Sequence, residues 1–566
     1  MKRIHQQTRE GKHFVHKYYL EKFGVFDIDF FTYNNAGYVK EWTFIFDDVV
    51  YNGITIPEFN KTLEFIKEKY DINTKSTGSK DVLIIFVNNL YKCIGFLSNY
   101  DENNTSFEDY SMIYKDNFEF RNISHFYKNL DMNSMIEKSN ELFDQLFIPN
   151  RKFFLTPTQY VLNKIDQNYN GILAKELFPK DKNKYNYLMS SFFGGLCICH
   201  YPTACIDDKL SEQWDRDSAY IYELICQKHL AEPLKEVNPK SFEYYIDFWE
   251  DYYAIFTIKI TFSKICKGMD LYKDYFGNKL KEPNTTYTMV INNVDFINLK
   301  MLGNIESYKV IKLEIGKKDY LPKEIIDVLY DEYCKKVEYK KIGSPNTKLQ
   351  KIICNSVFGA SVKKVRNFDK EKDEAILSPH WGILTASLAR YHLLIVAKDI
   401  KGWLYSDTDS IYNIKLDSNT NVFESHNSTF RLATMEICNR NGYNYDIIKD
   451  LGCFQYKNTY KKFQANNKKQ YMHTDINDVF EIVASGCSGE NDETAYNFII
   501  EDDETISCID MGIKIYPQIN EEKTSCKING ILFESNGSYW ESKSSSFKKQ
   551  LVQSYRESKS KERKKL

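Results

Sequence analysis

The chain has 566 residues, with 76 Lys+Arg against 78 Asp+Glu, a formal net charge of −2 and 42% hydrophobic residues. That length suits roughly three to four domains, and the apolar fraction excludes a disordered chain. Twelve Pro and 24 Gly exclude collagen-like and low-complexity classes, and no apolar run approaches the roughly 18 residues that span a bilayer.

The opening Met1-Lys-Arg-Ile-His-Gln-Gln-Thr8 lacks the apolar core of a signal peptide. The 13 cysteines are odd in number and scattered, which argues against a disulfide framework. The expectation is a cytoplasmic, monomeric protein without a membrane partner. Near-zero net charge leaves nucleic-acid binding open, because what matters is whether the charge is segregated.

In chain order, Phe23 to Phe31 reads as a buried strand and Glu41 to Phe46 as its hairpin partner. Pro57 to Tyr70 has helical spacing, and Val82 to Val87 is a second core strand. This pattern predicts an α/β domain. Asp181 to Asn186 is polar and reads as a boundary or loop. From about residue 190, turns punctuate short strands. Residues 320 to 360 are helical in pattern, opening after Pro322, and Ile383 to Val396 is a further helix-compatible segment. The last eleven residues, Arg556 to Leu566, carry six Lys/Arg and two Glu, a local charge of +4. Such a tail serves either solubility or nucleic-acid contact.

The sharpest local signal is Leu404-Tyr-Ser-Asp-Thr-Asp-Ser-Ile-Tyr412. If it is a strand, Asp407 and Asp409 project from one face, which is costly unless a cation holds them. If it is a hairpin turn, its tip suits a metal equally well. Hard divalent cations take carboxylate oxygens together with substrate phosphates. Upstream, Lys351-Ile-Ile-Cys-Asn-Ser-Val-Phe-Gly359 places Lys351 and Asn355 four apart on one helical face, with Lys348 a turn earlier. The plain alternative there is an amphipathic helix that ends at Gly359. Asp215-Arg-Asp-Ser-Ala-Tyr-Ile221 follows a segment, Ser211-Glu-Gln-Trp, that is less apolar than a buried strand should be.

These three segments, in this order, resemble the three polymerase motifs of family B DNA polymerases. Asp215, Ser218 and Tyr220 match the first, with Ala219 and Ile221 where Leu and Pro are expected; Asp208 opens a competing register without the aromatic. The resemblance implies that Asp215, Asp407 and Asp409 are catalytic carboxylates holding two Mg²⁺ or Mn²⁺ ions. It implies nucleotide contacts from Tyr220, Lys351, Asn355, Phe358 and Lys348, with Tyr220 under the incoming sugar. DNA contacts are implied for Ser356, Gly359 and Thr408. Phe192-Phe-Gly194-Gly195 resembles the Tyr-x-Gly-Gly element that contacts template, Leu384 to Tyr391 resembles a palm helix, and Lys469-Gln-Tyr471 resembles the Lys-x-Tyr element at the primer end. The lysines 335, 336, 340, 341, 348 and 351 read as phosphate-facing beside such motifs.

The spacing of Asp215 and Lys351 and the modest length resemble the protein-primed branch of small phages and linear plasmids. That implies a terminal-protein partner beside primer-template DNA and dNTPs. The second insertion of that branch is reduced here to Ala360 to Leu377, with Lys363, Lys364 and Arg366. The implied fold is an RNase H-like α/β exonuclease-type domain followed by an α+β right-hand polymerase of palm, fingers and thumb. The expected spans are 1–180 for the exonuclease-like domain, 181–227 and 363–485 for palm, 228–325 for a terminal-protein-region insertion, 326–362 for fingers, and 486–566 for thumb and tail.

The exonuclease motifs are incomplete. Asp27-Ile-Asp29 has Asp for Glu, Asn89-Leu-Tyr-Lys-Cys93 has a thiol in the carboxylate position, and Thr156 to Asp166 has Leu162 where Tyr is expected. Mg²⁺ prefers oxygen to sulfur, so weak or absent proofreading is expected unless Asp47 or Asp48 compensates. Cys197, Cys199, His200 and Cys205 have spacing that suits zinc, but also read as an alternating strand. Two other classes remain: a polymerase-fold binding protein without chemistry, and an enzyme of untemplated or defensive synthesis.

Overall fold

The computed structural model describes residues 3–10, 13–20, 23–33, 36–72, 74–76, 79–87, 105–107, 111–114, 117–122, 131–145, 157–200, 209–344, 346–363, 365, 368–477, 480–484, 507–509, 512–515, 525–528, 531–535 and 540–542. Asn89, Cys93, Cys205, Asp208, Lys364, Arg366 and the basic tail lie outside them. The chain divides into two compact units, Met1–Tyr160 with Ser546–Leu566, and Val161–Ser545. The division falls within the helix Pro157–Asn168.

The first unit is built on a ten-stranded mixed sheet. Gly24–Tyr33 pairs antiparallel with Ala36–Phe46, which pairs antiparallel with Val49–Gly53. On the other side, Ser79–Val87 runs parallel to Gly24–Tyr33, and Phe118–Asn122 runs parallel to Ser79–Val87. The helix Ile56–Lys69 starts at a Thr55–Glu58 capping box and buries Phe59, Leu63 and Ile66. These side chains pack with Phe26, Trp42, Phe44, Leu83, Ile85 and Phe120 in one core.

Asp27 stands opposite Thr43, and Asp29 opposite Glu41. Asp47 and Asp48 form the tight turn to the next strand, both at positive φ, and Asp47 accepts a hydrogen bond from the Tyr70 hydroxyl. Four residue steps, about 13 Å in extended chain, separate Thr43 from Asp47. Neither turn aspartate is therefore placed to compensate beside Asp27.

In the second unit, a seven-stranded antiparallel sheet runs in the order Cys197–Cys199, Trp403–Asp407, Ser410–Ile414, Ser211–Arg216, Phe454–Asn467, Gln470–Asp475, Phe480–Ala484. The polar strand Ser211–Arg216 is central all the same: Ser211 and Glu212 are buried, and Glu212 accepts a 2.9 Å hydrogen bond from Asn413. A second sheet is formed by His229–Leu230, Lys235–Val237, Tyr252–Lys264, Thr286–Asn292 and Asn304–Asp319. Two of its strands span 13 and 16 residues, longer than the short strands expected. The segment Asp181 to Asn186 is neither boundary nor loop: Asp181 caps the helix Lys182–Met189 by accepting from the Lys184 amide. A third sheet joins strands between 507 and 542.

Helices Lys323–Lys341 and Thr347–Ser361 pack as a pair. The second continues past Gly359, so that glycine does not end it. The helix Pro379–Asp399 is buried nearly all round, as a helix in the middle of a large unit must be. Its Arg390 forms a bidentate ion pair with Asp295 of the helix Asn293–Leu302, at 2.8–2.9 Å from the Asp295 oxygens, and donates to the carbonyls of Phe193 and Gly194. Both side chains are essentially inaccessible, at 1% and 0%. Breaking such a pair leaves an uncompensated buried charge. Asp295→Ala is therefore expected to destabilise the second unit by about 3–5 kcal/mol, and Asp295→Asn by less; denaturant unfolding of the full chain measures both.

Candidate active site

The Tyr-Ser-Asp-Thr-Asp-Ser segment is a two-residue hairpin. Asp407 pairs with Ser410 across it, and Thr408 and Asp409 form the tip. Thr408 sits in the left-handed region at φ 61°. That conformation is fastened locally: Thr408 N–H donates to the Leu196 carbonyl at 2.8 Å, and its hydroxyl to Asp407 Oδ1 at 2.9 Å. Gly195 makes room for it, since a Cβ there would lie 2.7 Å from Thr408 Oγ1. The Phe-Phe-Gly-Gly turn and the hairpin tip are thus mutually fitted.

Asp215 lies directly across from Ser410 on the next strand, and Arg216 N–H donates to the Asp409 carbonyl at 2.8 Å. The three aspartates therefore occupy one corner of the sheet. Burial, followed by repulsion from Asp215, pushes the Asp409 carboxyl up to about 7, with Asp407 adding to the rise and Lys351 opposing it. Burial likewise raises Asp215, against Lys457 and Lys351. Lys457 Nζ stands 3.6 Å from Asp215 Oδ2, and Lys469 Nζ 3.8 Å from Asp407 Oδ1.

Behind the tip, Ser218 (φ 50°) turns the chain into the helix Ala219–Cys226, which delivers Tyr220. Its ring stacks on Phe358 with centroids 4.0 Å apart and planes 6° off parallel, and Phe192 leans on the other ring at 6.5 Å. Burial pushes the Tyr220 hydroxyl up to about 12, with Asp409 and Asp407 adding to it. Lys348, Lys351 and Gly359 are exposed on the Thr347–Ser361 helix, while Asn355, Ser356 and Phe358 are half-buried. The Lys469-Gln-Tyr471 element sits on the hairpin between Phe454–Asn467 and Gln470–Asp475. Lys469 N–H donates to the Tyr405 hydroxyl at 2.8 Å, and the hydroxyls of Tyr412 and Tyr471 bond at 3.0 Å.

Some placements differ from the sequence reading. Lys336 does not face outward: it is buried, donating to Asp217 Oδ1 at 2.8 Å and to the Ser218 hydroxyl. Burial alone would raise Asp217, but Lys336 and Tyr333 outweigh it and hold its carboxyl below the usual range. Lys335 is paired with Glu332 at 3.0 Å. Asp166 is exposed and belongs to the second unit, whereas Asp27 belongs to the first. Cys197 Sγ bonds the Tyr405 hydroxyl at 3.2 Å, and Cys199 Sγ the Ala465 carbonyl at 3.3 Å, which is how thiols of an alternating strand behave. The residues missed from sequence are Arg216, Asp217, Glu223, His392 and Lys457. Only the charge of the first motif, Asp215-Arg-Asp, hinted at them.

Among the described residues, no three His, Cys, Asp or Glu side chains form a ready metal cage. That is compatible with Mg²⁺, which is commonly held by one or two carboxylates plus substrate phosphates. An all-oxygen donor set whose carboxylates repel one another fits such a cation.

No protein-family model matches the sequence, and no curated protein does. Solved structures do. Phi29 DNA polymerase with primer-template DNA, in a post-translocation binary complex, matches at a TM-score of 0.60 and 13% identity, over 92% of this chain and 99% of that one. The phi29 ternary complex with primer-template DNA and incoming nucleotides matches at 0.59 and 12%, over 92% and 99%. The phi29 complex with single-stranded DNA matches at 0.60 and 12%, over 90% and 98%.

The fold is therefore that of a DNA polymerase. In particular, it is the fold of phi29 DNA polymerase across most of the chain, in agreement with the protein-primed family B resemblance carried by the motifs. Among the described residues, no helix is long and apolar enough to cross a membrane.

The raised Asp409 gives a pH test. Its folded pKa of about 7 lies above the ordinary 3.8. The folded state thus holds a proton that the unfolded state has released, and the associated stability is lost as pH rises toward and through 7. A divalent cation relieves the repulsion only when the carboxyls are ionised. The Tm gain on adding Mg²⁺ is therefore expected to be larger at pH 8 than at pH 6; differential scanning calorimetry at both pH values checks it.

Proposed function

We propose that the protein is a template-directed DNA polymerase that adds dNTPs to a 3′ hydroxyl by two-metal phosphoryl transfer. The observation that carries this reading is the meeting of Asp215, Asp407, Asp409 and Lys351 at one corner of a sheet with a polymerase fold. Phosphoryl transfer needs positioning and charge neutralisation more than covalent help. Mg²⁺ or Mn²⁺ held by Asp215 and Asp407, with Asp409 beside them, would lower the charge on the attacking and leaving oxygens. Lys351, with Lys348 a turn away, meets the triphosphate; Asn355 lies on the same helix. Tyr220 sits under the sugar, where it disfavours a 2′ hydroxyl, and Phe358 flanks the new base pair. Phe192, Gly194, Gly195, Ser356, Gly359 and Thr408 line the template side, and Lys469 with Tyr471 steadies the primer end.

The reading extends to architecture. Residues 181–227 and 363–485 act as palm, 326–362 as fingers, 228–325 as the insertion that meets a terminal protein, and 486–566 as thumb. Priming by protein on a small linear genome follows from the same resemblance. The parallel core strands flanked by an antiparallel meander in the first unit support an RNase H-like exonuclease domain. Its metal set is short of carboxylates, so proofreading is weak or absent.

Asp407→Ala is expected to abolish primer extension while leaving the circular dichroism spectrum and Tm near wild type. Extension at near-wild-type rate by that variant would sink the assignment. For proofreading, a 3′-labelled single-stranded primer with Mg²⁺ is expected to remain largely undegraded. Vigorous degradation that disappears in Asp166→Ala would contradict the loss of proofreading.

A further inference from the structure

The strand Phe454–Asn467 pairs with Ser211–Arg216, but the register breaks once. Trp214 faces Tyr456 and Gln213 faces Asn458, so Lys457 has no partner across the ladder. This is a β-bulge, a device that re-aims a side chain and recurs next to active sites. Its flanks are fixed: the Tyr456 ring packs on Trp214 with centroids 5.8 Å apart, and the Tyr456 hydroxyl bonds Thr459 Oγ1 at 2.7 Å. The consequence is the 3.6 Å approach of Lys457 Nζ to Asp215 Oδ2, with both side chains about one-third exposed, at 35% and 29%.

Arg216 and Asp217, behind this corner, are already paired with Glu223 and Lys336, which leaves three carboxylates facing three ammonium groups. Asp215, Asp407 and Asp409 are met by Lys457, Lys469 and Lys351. A lone divalent ion approaching Asp215 must displace an ammonium that then has no partner. An ion arriving with a triphosphate brings the anion to which the displaced lysine can turn.

We propose that Lys457 is a resident cation of the catalytic corner: it occupies Asp215 while no nucleotide is bound, and yields that carboxylate to a divalent ion that enters together with a triphosphate. Lys457 thereby couples metal entry to nucleotide entry and suppresses metal binding to the idle enzyme. The inference rests on the polymerase reading of this corner.

The test is Mn²⁺ binding to the full chain without DNA or nucleotide, read from loss of the free-ion electron paramagnetic resonance signal. Lys457→Met is expected to bind Mn²⁺ about tenfold more tightly than wild type, equal to about 1.4 kcal/mol. Lys457→Arg should remain near wild type, because charge and reach are kept. Adding Asp215→Asn to Lys457→Met should remove the gain. Equal Mn²⁺ affinity in wild type and Lys457→Met, including no binding by either, overturns the proposal. So does a gain that survives Asp215→Asn. No nucleotide is present, so this result is separate from primer extension, which decides the polymerase reading.

Discussion

Like charges crowded at one corner of a sheet are the constraint on which the rest of the second unit depends. Asp407 ends one strand of the hairpin and Asp409 lies in its two-residue tip, and the neighbouring strand brings Asp215 opposite Ser410. Carboxylates so placed repel, and burial makes the repulsion stronger because less water screens it. The fold meets this cost in two ways. Lysines from separate elements face the carboxylates: Lys351 from a helix, Lys457 from a bulged strand, and Lys469 from a hairpin. The backbone is also locked, with a left-handed Thr408 seated over Gly195, so that the tip cannot relax the carboxylates apart.

A second layer of buried charge holds the first in place. Arg216 follows Asp215 directly, and its side chain is buried between the rings of Tyr222 and Phe430. It donates to Glu223 and to the Gly452 carbonyl, and Glu223 is also bonded by His392 Nδ1 at 2.9 Å. Burial would raise the Glu223 carboxyl, but its hydrogen bonds with His392 and the Arg216 guanidinium outweigh burial and keep it below its ordinary range. The strand end carrying Asp215 is thus tied to the long helix Pro379–Asp399 and to the start of Phe454–Asn467. Arg390, two residues before His392 and so on a different side of the same helix, ties the Phe-Phe-Gly-Gly turn through the Phe193 and Gly194 carbonyls. One helix therefore braces both edges of the corner.

Much of this was legible in the sequence where chemistry and local pattern coincide. The Tyr-Ser-Asp-Thr-Asp-Ser string named its own carboxylates, and the helical spacing of Lys351, Asn355 and Phe358 placed them correctly on one element. The hairpin of Phe23 to Phe31 with Glu41 to Phe46 followed from apolar runs alone. What escaped was set by long-range pairing. Lys336 looks like any other lysine in a basic stretch; only the packing of its helix against the first motif buries it on Asp217. The bulge at Lys457 depends on a register between strands more than 200 residues apart, which no local pattern encodes. Asp181 looked like a linker residue because a capping aspartate and a loop aspartate read alike until the following helix is seen.

The divergent first motif takes on a different meaning in this light. The expected Leu and Pro are Ala219 and Ile221, yet both are buried within the helix Ala219–Cys226, and Ile221 is fully enclosed. The helix has no need of a proline, because the turn before it is made by Ser218, whose hydroxyl is held by Lys336. The polar approach strand is satisfied too, with Glu212 accepting from Asn413 and Gln213 from the Tyr460 hydroxyl. The charged and polar groups of this segment have partners elsewhere in the chain: Arg216 with Glu223, Asp217 with Lys336, Glu212 with Asn413. Unopposed decay would leave buried polar groups orphaned at a cost of about 1–3 kcal/mol each. Here the principal charges beside Asp215 are paired instead, and those pairs hold the carboxylate-bearing turn in place without the expected Leu and Pro.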